Sequence, residues 1–344
     1  MATFSLDNIK IAGIACAVPN HRVETTSFYP KFGKKYVEDF INMAGVKSTY
    51  RTSEKQTASD LCFVAARNLL ENKKVSVEDI GALVFISQTP DYRGLPATAC
   101  VLHKRLALSK DCMAFDVNLG CSGYVYGLNI VGSLLQTLQG TSGDASNASN
   151  LYKKALLLFG DTNVKVNSPE DKSVAMLFGE AGSATLLTKE DGFNICGELM
   201  TDGNGFKAVI TPSGGQRNPE GDHERTLWGD GNIRSDFDGY INGTDVFSFT
   251  ITQVPKLIKH FIEEQNKTID DYDSVVLHQA NLYILKQIAK KIKCPMDKIP
   301  ISIDRYGNTS GTSIPLTLCD THGTPPLDRQ KIMINIHLAR KVTC

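Results

Sequence analysis

The run Ala114-Phe115-Asp116-Val117-Asn118-Leu119-Gly120-Cys121-Ser122-Gly123-Tyr124 decides how this chain is read. A short apolar segment enters a cysteine flanked by glycines, and Val125, Leu128, Val131 and Leu135 follow at three- and four-residue spacing. That order predicts a strand, a tight turn and a helix. It puts the Cys121 thiol at the carboxyl end of a strand and the amino end of a helix, where free N–H groups and the helix dipole favour a thiolate. Gly120 and Gly123 are expected to let the backbone turn sharply and a substrate approach. A free cysteine is often only a small buried apolar group, so this run does not decide the chemistry alone.

Two later segments have the same form. Ser274-Val275-Val276-Leu277 is a β-rich run ending in His278-Gln279-Ala280-Asn281, and Ile301-Ser302-Ile303 leads to Tyr306-Gly307-Asn308-Thr309-Ser310-Gly311. Both read as strands that end in polar residues. A cysteine, a histidine and an asparagine at strand ends suit acyl transfer: a sulfur nucleophile with two groups to handle negative charge.

These three segments, in this order and at these separations, resemble the thiolase-related condensing enzymes, and most closely the β-ketoacyl-acyl carrier protein synthase III family. The resemblance runs from Ile9 to about Ile334. It implies an α/β, thiolase-like, five-layered αβαβα fold of two pseudo-repeated halves. We place these at 1–190, carrying the nucleophile, and 191–344, carrying the histidine and asparagine, with the charged, turn-like Thr188-Lys189-Glu190-Asp191-Gly192 between them.

Composition agrees with an enzyme of this kind. At 344 residues the chain exceeds the usual single core. Lys plus Arg and Asp plus Glu are 37 each, so no overall field attracts nucleic acid or an anionic membrane. Nine scattered cysteines suit reduced thiols in a cytoplasm better than a disulfide framework. No C-x-x-C pair or paired-histidine spacing suggests a metal. No signal-peptide pattern or eighteen-residue apolar window is found, and a cytoplasmic location is expected.

In order along the chain, Ile9 to Val18 reads as a strand and Tyr36 to Val46 as a helix. Phe40 falls where the synthases often carry a tryptophan near the coenzyme A adenine; packing between helix and loop is the alternative. Ala58 to Leu70 is a core-facing helix and Ala82 to Ser87 a buried strand. The loop Gln88 to Pro96 is, by resemblance, the segment that reaches across a homodimer to the partner's acyl pocket, with Leu95 where a larger aromatic is usual. Gln139 to Asn150 reads as a solvated loop. Asp245 to Glu264 reads as a helix that Pro255 kinks or delays, and Leu282 to Ile292 as another helix.

The resemblance implies that Cys121 takes an acyl group from an acyl-coenzyme A and passes it to malonyl-acyl carrier protein with loss of carbon dioxide. His278 and Asn308 would stabilise the developing negative charge. Related enzymes that condense without decarboxylation carry a glutamate base near Gln88, an amide here, which favours the decarboxylative branch. Asn281 either touches substrate or caps the following helix. Lys172 stands where an arginine commonly meets coenzyme A. Lys286, Lys290 and Lys291 form a basic face suited to an acidic carrier protein. No cofactor is implied beyond the thioester substrates. Transfer to another acceptor in secondary or surface-sugar metabolism, and a non-catalytic homologue, are the alternative readings. After Ile334 the family's Phe-Gly-Gly-Gly turn is replaced by Asn335 to Cys344, without glycine, so that Ala339 stands where an oxyanion donor is expected and slow acylation follows.

Overall fold

The structure, a computed structural model, describes residues 2–138, 154–322 and 332–335. Five strands, β1 (Ala2–Ala17), β2 (Ile80–Ile86), β3 (Met113–Val117), β4 (Lys154–Asp161) and β5 (Ala181–Leu199), form one sheet in the order β1-β5-β4-β2-β3. β2 runs parallel to β3 and β4, whereas β5 is antiparallel to β4 and β1. Every residue of Ile80–Ile86 is buried, as expected of a parallel strand covered on both faces.

Of the helices, α1 (Lys34–Ala44) begins the packing outside this sheet and α2 (Ala58–Lys73) covers one of its faces with Cys62, Ala65 and Leu69. A capping box between Thr57 and Asp60 starts α2. α3 (Gly123–Thr137) covers the other face through Leu128, Val131 and Leu135. Its Gly123 is a contact requirement: a β-carbon there would meet the Phe159 ring at 2.4 Å.

The second part contributes α4 (Gly243–Glu264), β6 (Ser274–Leu277), α5 (Leu282–Ile292), α6 (Ser313–His322) and β7 (Ile332–Asn335), the last parallel to β6. β6 alternates its faces. Val276 joins the core of α3, with Ile314 and Leu318 of α6, while Val275 and Leu277 join Ile258, Leu285 and Ile288 of α4 and α5. The layers are therefore α2, first sheet, α3 with α6, β6 with β7, and α4 with α5, the expected αβαβα order.

Several local expectations are corrected. Thr188–Gly192, read as turn-like, lies inside β5, where Lys189 pairs with Ile9. Its charged residues lie at an irregularity in the pairing of β5 with β1, where Glu190 and Asp191 are exposed. β3, which leads to Cys121, is the outermost strand of its sheet among the described residues. Ile301–Ile303 is not a strand, because the N–H groups of Ser302 and Ile303 go to the Gln279 side chain at 3.1 and 3.3 Å instead of a neighbouring strand. Ile303–Tyr306 forms a helical turn. α4 continues through Pro255 as one element after an Asn242 cap. The loop 139–150 and the tail 336–344, with Ala339, lie outside the described residues.

Candidate active site

Three segments meet around residues 308–313. The Ser310 N–H donates to Asn308 Oδ1 at 3.0 Å, the Ser313 hydroxyl lies 2.7 Å from His278 Nδ1, and a β-carbon on Gly311 would stand 3.0 Å from the Gly120 carbonyl, one residue before Cys121. Ser310 itself is buried and holds φ of +56°, a left-handed conformation that a non-glycine residue adopts only when its surroundings fix it. The fixing contacts come from β4. Thr312 donates to the Phe159 carbonyl at 3.1 Å, and a β-carbon on Gly311 would meet the Phe159 ring at 2.5 Å and the Gly120 carbonyl at 3.0 Å. The 310–312 segment is thus seated directly on the turn that carries Cys121.

Cys121 follows β3 by four residues and precedes α3 by two. Neither Gly120 nor Gly123 has a positive φ. Gly120 is needed because the Gln88 side chain lies over it, its Oε1 2.2 Å from where a β-carbon would stand. The expectation of a lowered thiol pKa is not met. Burial, together with the nearby negative charge of Asp161, pushes Cys121 up to about 12, against its own backbone N–H and the Ser310 hydroxyl, which favour the thiolate. The helix end does not outweigh desolvation here.

His278 is fully buried directly after β6. Burial lowers its pKa to about 4, so the ring is neutral at pH 7. Its Nδ1 lies 2.7 Å from the Ser313 hydroxyl. Asn308 is buried too, and its backbone is held between the Leu177 carbonyl and the Gly179 N–H. Because Oδ1 accepts the Ser310 N–H, the amide NH2 is the donor end presented for bonding. A neutral imidazole and an amide beside a thiol can stabilise an oxyanion or an enolate by donating hydrogen bonds.

Asp161 was not singled out from sequence. It ends β4 and is 1% exposed, and its Oδ1 accepts from Ser87 Oγ at 3.0 Å, the Gln88 N–H at 2.7 Å and Thr89 Oγ1 at 3.3 Å. Burial raises its carboxyl to about 6, with the Ser310 hydroxyl among the groups that moderate the rise. The available signal was a lone acid ending an otherwise apolar run, Leu156 to Asp161, of a fully covered strand.

The peripheral candidates fall in different places. Asn281 caps α5, accepting the Ile284 N–H at 2.8 Å. Phe40 is buried among Val37, Ala44, Met176 and Ile303, so the packing alternative holds for it. The exposed aromatic ring of that helix is Tyr36, with the Lys172 ammonium 5.8 Å from its centroid. Leu95 is 89% exposed, on a loop with Tyr92 also exposed. Lys286, Lys290 and Lys291 are exposed along α5. Among the described residues no helix is long and apolar enough to cross a membrane.

Comparison with known proteins gives a consistent result. Residues 115–203 match the family model for 3-oxoacyl-[acyl-carrier-protein] synthase III, and residues 262–336 match the model for its C-terminal part. A β-ketoacyl-[acyl-carrier-protein] synthase III of Clostridium perfringens is 30% identical over 318 residues, 92% of this chain and 91% of its own. The crystal structure of a 3-oxoacyl-(acyl-carrier protein) synthase from Burkholderia xenovorans superposes with a TM-score of 0.82 at 35% identity, covering 93% of this chain and 87% of that one. A second solved structure, of a 3-oxoacyl-(acyl-carrier-protein) synthase III, gives 0.83 at 32% identity and 95% coverage of both chains.

Proposed function

The chain belongs to the 3-oxoacyl-[acyl-carrier-protein] synthase III family of acyltransferases, and from that premise we propose that it condenses an acyl-coenzyme A with malonyl-acyl carrier protein through an acyl group held on Cys121. The observation that carries this reading is that the segment holding Asn308 meets the His278 ring through Ser313 and packs Gly311 on the Gly120 carbonyl, one residue before Cys121. In the first stage the Cys121 sulfur attacks the thioester carbonyl and coenzyme A leaves as its thiol. In the second, malonyl-carrier protein loses carbon dioxide. The electron pair left behind is held as an enolate whose oxygen accepts hydrogen bonds from neutral His278 and the Asn308 amide. The enolate carbon then attacks the acyl carbonyl and frees Cys121.

Each donor to that oxygen supplies on the order of 3 kcal/mol of transition-state stabilisation. Neutrality of His278 matters: an imidazolium would have to be charged at a cost in a site that disfavours charge. Gln88, lying over Gly120, offers an amide and no base, in keeping with carbanion formation by decarboxylation rather than proton abstraction.

We extend the reading to the surroundings. Lys172 and Tyr36 border the coenzyme A entrance, and Lys286, Lys290 and Lys291 receive the acidic carrier protein. The protein acts as a homodimer, in which the open edge of β3 and the projecting Leu95 loop meet the partner. The test is intact-mass spectrometry after incubation with acyl-coenzyme A, followed by addition of malonyl-carrier protein. One acyl group per chain, lost in the Cys121→Ala variant and converted to a 3-oxoacyl-carrier product, is expected. An acyl group that stays on the protein, or that leaves without release of carbon dioxide, would replace this reading with transfer to another acceptor.

A further inference from the structure

Away from Cys121, two further cysteines meet where β1 passes α6. Cys16 is the penultimate residue of β1, opposite Ser183 of β5, and Cys319 lies in the last turn of α6. The Cys16 thiol donates to the Cys319 sulfur at 3.7 Å. Both border the core that α3 and α6 share through Leu128, Ile314 and Leu318, yet each is only half-buried. Space filling alone is served by single buried thiols such as those of Cys62, Cys112 and Cys294.

We propose that Cys16 and Cys319 form a reversible oxidation site, closed by a small peroxide to a disulfide that staples β1 to α6 and reopened by a thiol reductant. The inference is independent of the reaction at Cys121. Bonded sulfurs stand about 2.0 Å apart, so the pair has about 1.7 Å to close. The positions favour that movement. β1 ends one residue after Cys16 and is the outermost strand of its sheet among the described residues, and Cys319 sits where α6 runs out. Element ends give way more readily than element centres.

One peroxide is consumed per chain. Burial and the neighbouring sulfur push the Cys16 thiol up, and its S–H is spent on Cys319, so Cys319 reacts first and Cys16 second. The Cys319 sulfur attacks a peroxide oxygen; the O–O bond breaks, an S–O bond forms, and the hydroxide released leaves as water with the Cys319 proton. The Cys16 sulfur then attacks the Cys319 sulfur. The S–S bond forms as the S–O bond breaks, and the second hydroxide leaves as water with the Cys16 proton. The two sulfurs lose two electrons together, and the peroxide is reduced to two waters. The bond joins residues 303 positions apart, so it closes most of the unfolded chain into one loop and removes much of that chain's entropy.

The test treats the full chain with hydrogen peroxide, blocks the remaining thiols with N-ethylmaleimide, and digests it without reduction for mass spectrometry. A linked pair of peptides holding Cys16 and Cys319 is expected, lost on dithiothreitol treatment and absent from Cys16→Ser and Cys319→Ser. The oxidised parent should melt about five degrees or more above its own reduced form. Cys319→Ser, given the same peroxide, should show no such rise. Recovery of Cys16 as its maleimide adduct beside a sulfinic acid on Cys319, or a smaller rise in the parent, overturns the proposal. The parent is compared with its own reduced form, so the outcome stands even where a serine variant fails to fold.

Discussion

The Ser313 hydroxyl lies 2.7 Å from His278 Nδ1 and also accepts the Gln279 N–H at 3.1 Å. The hydroxyl proton is left for Nδ1, and its donation there makes Nδ1 the acceptor and puts the ring proton on Nε2, the tautomer that the proposed enolate contact requires. Ser313→Ala is therefore expected to lower decarboxylative condensation by tenfold to a hundredfold, while acylation of Cys121 changes less than threefold. Separate half-reaction rates that fall together would show that Ser313 merely holds the turn.

Asn308 has two tasks that substitution can separate. Asn308→Asp keeps the acceptor for the Ser310 N–H but removes the donor and buries a carboxyl, so condensation should fall by about a hundredfold or more and acylation by much less, with some loss of stability. Asn308→Ala removes both and leaves a buried N–H unsatisfied, which costs about 1–3 kcal/mol of stability. An Asn308→Asp acylation rate that falls as far as condensation would contradict this division.

Asp161 and His278 oppose each other in the acid stability of the fold. As pH falls from 6.5 towards 4, the unfolded chain protonates His278 and the folded one does not, which destabilises the fold. Asp161, raised to about 6, takes up its proton earlier in the folded state, and this stabilises the fold below that pH and is lost as pH rises through it. Asp161→Asn removes the second effect. The fall in melting temperature between pH 6.5 and 4.5 should then exceed the parent's by several degrees, on the order of 2 kcal/mol. Parallel curves would sink the prediction.

Arg234 is fully buried, paired with Asp171 and, at 2.9 Å, with Asp230, its guanidinium 5.5 Å from the Trp228 ring and 5.2 Å from that of Tyr240. Arg234→Ala strands a buried carboxylate and should cost about 3–5 kcal/mol in denaturant unfolding. Arg234→Lys should rescue little, since an ammonium lacks the planar fork and the stacking face. Recovery by lysine would assign the site to charge alone.

Charge reversal of Lys290 and Lys291 should raise the apparent KM for malonyl-carrier protein severalfold at low salt and hardly at all at high salt, leaving acyl-coenzyme A unaffected. A salt-independent response would move the docking surface off α5.

The strand, turn and helix around Cys121 and the strand ending at His278 were legible because their apolar patterns are local. What was hidden depends on partners distant in sequence. The thiol pKa could not be read from a helix end, since its largest causes are burial and an acid forty residues away. Ile301–Ile303 has the composition of a strand, yet Gln279 takes its backbone donors. Lys189 to Gly192 looks turn-like because nothing local shows that β1 lies beside that part of β5.

That pairing has a consequence for biosynthesis. β1 occupies residues 2–17, and its hydrogen-bonding partners are residues 182–199. A nascent chain emerging at about 5–20 residues per second exposes this strand, Ile9 and Ile14 included, for roughly 10–40 s before its partner leaves the ribosome. The Cys16 sulfur then meets that of Cys319, 3.7 Å away, only after 303 further residues have been made. This strand is thus made long before it is enclosed, and slower growth or added chaperone during expression should raise the yield of folded protein.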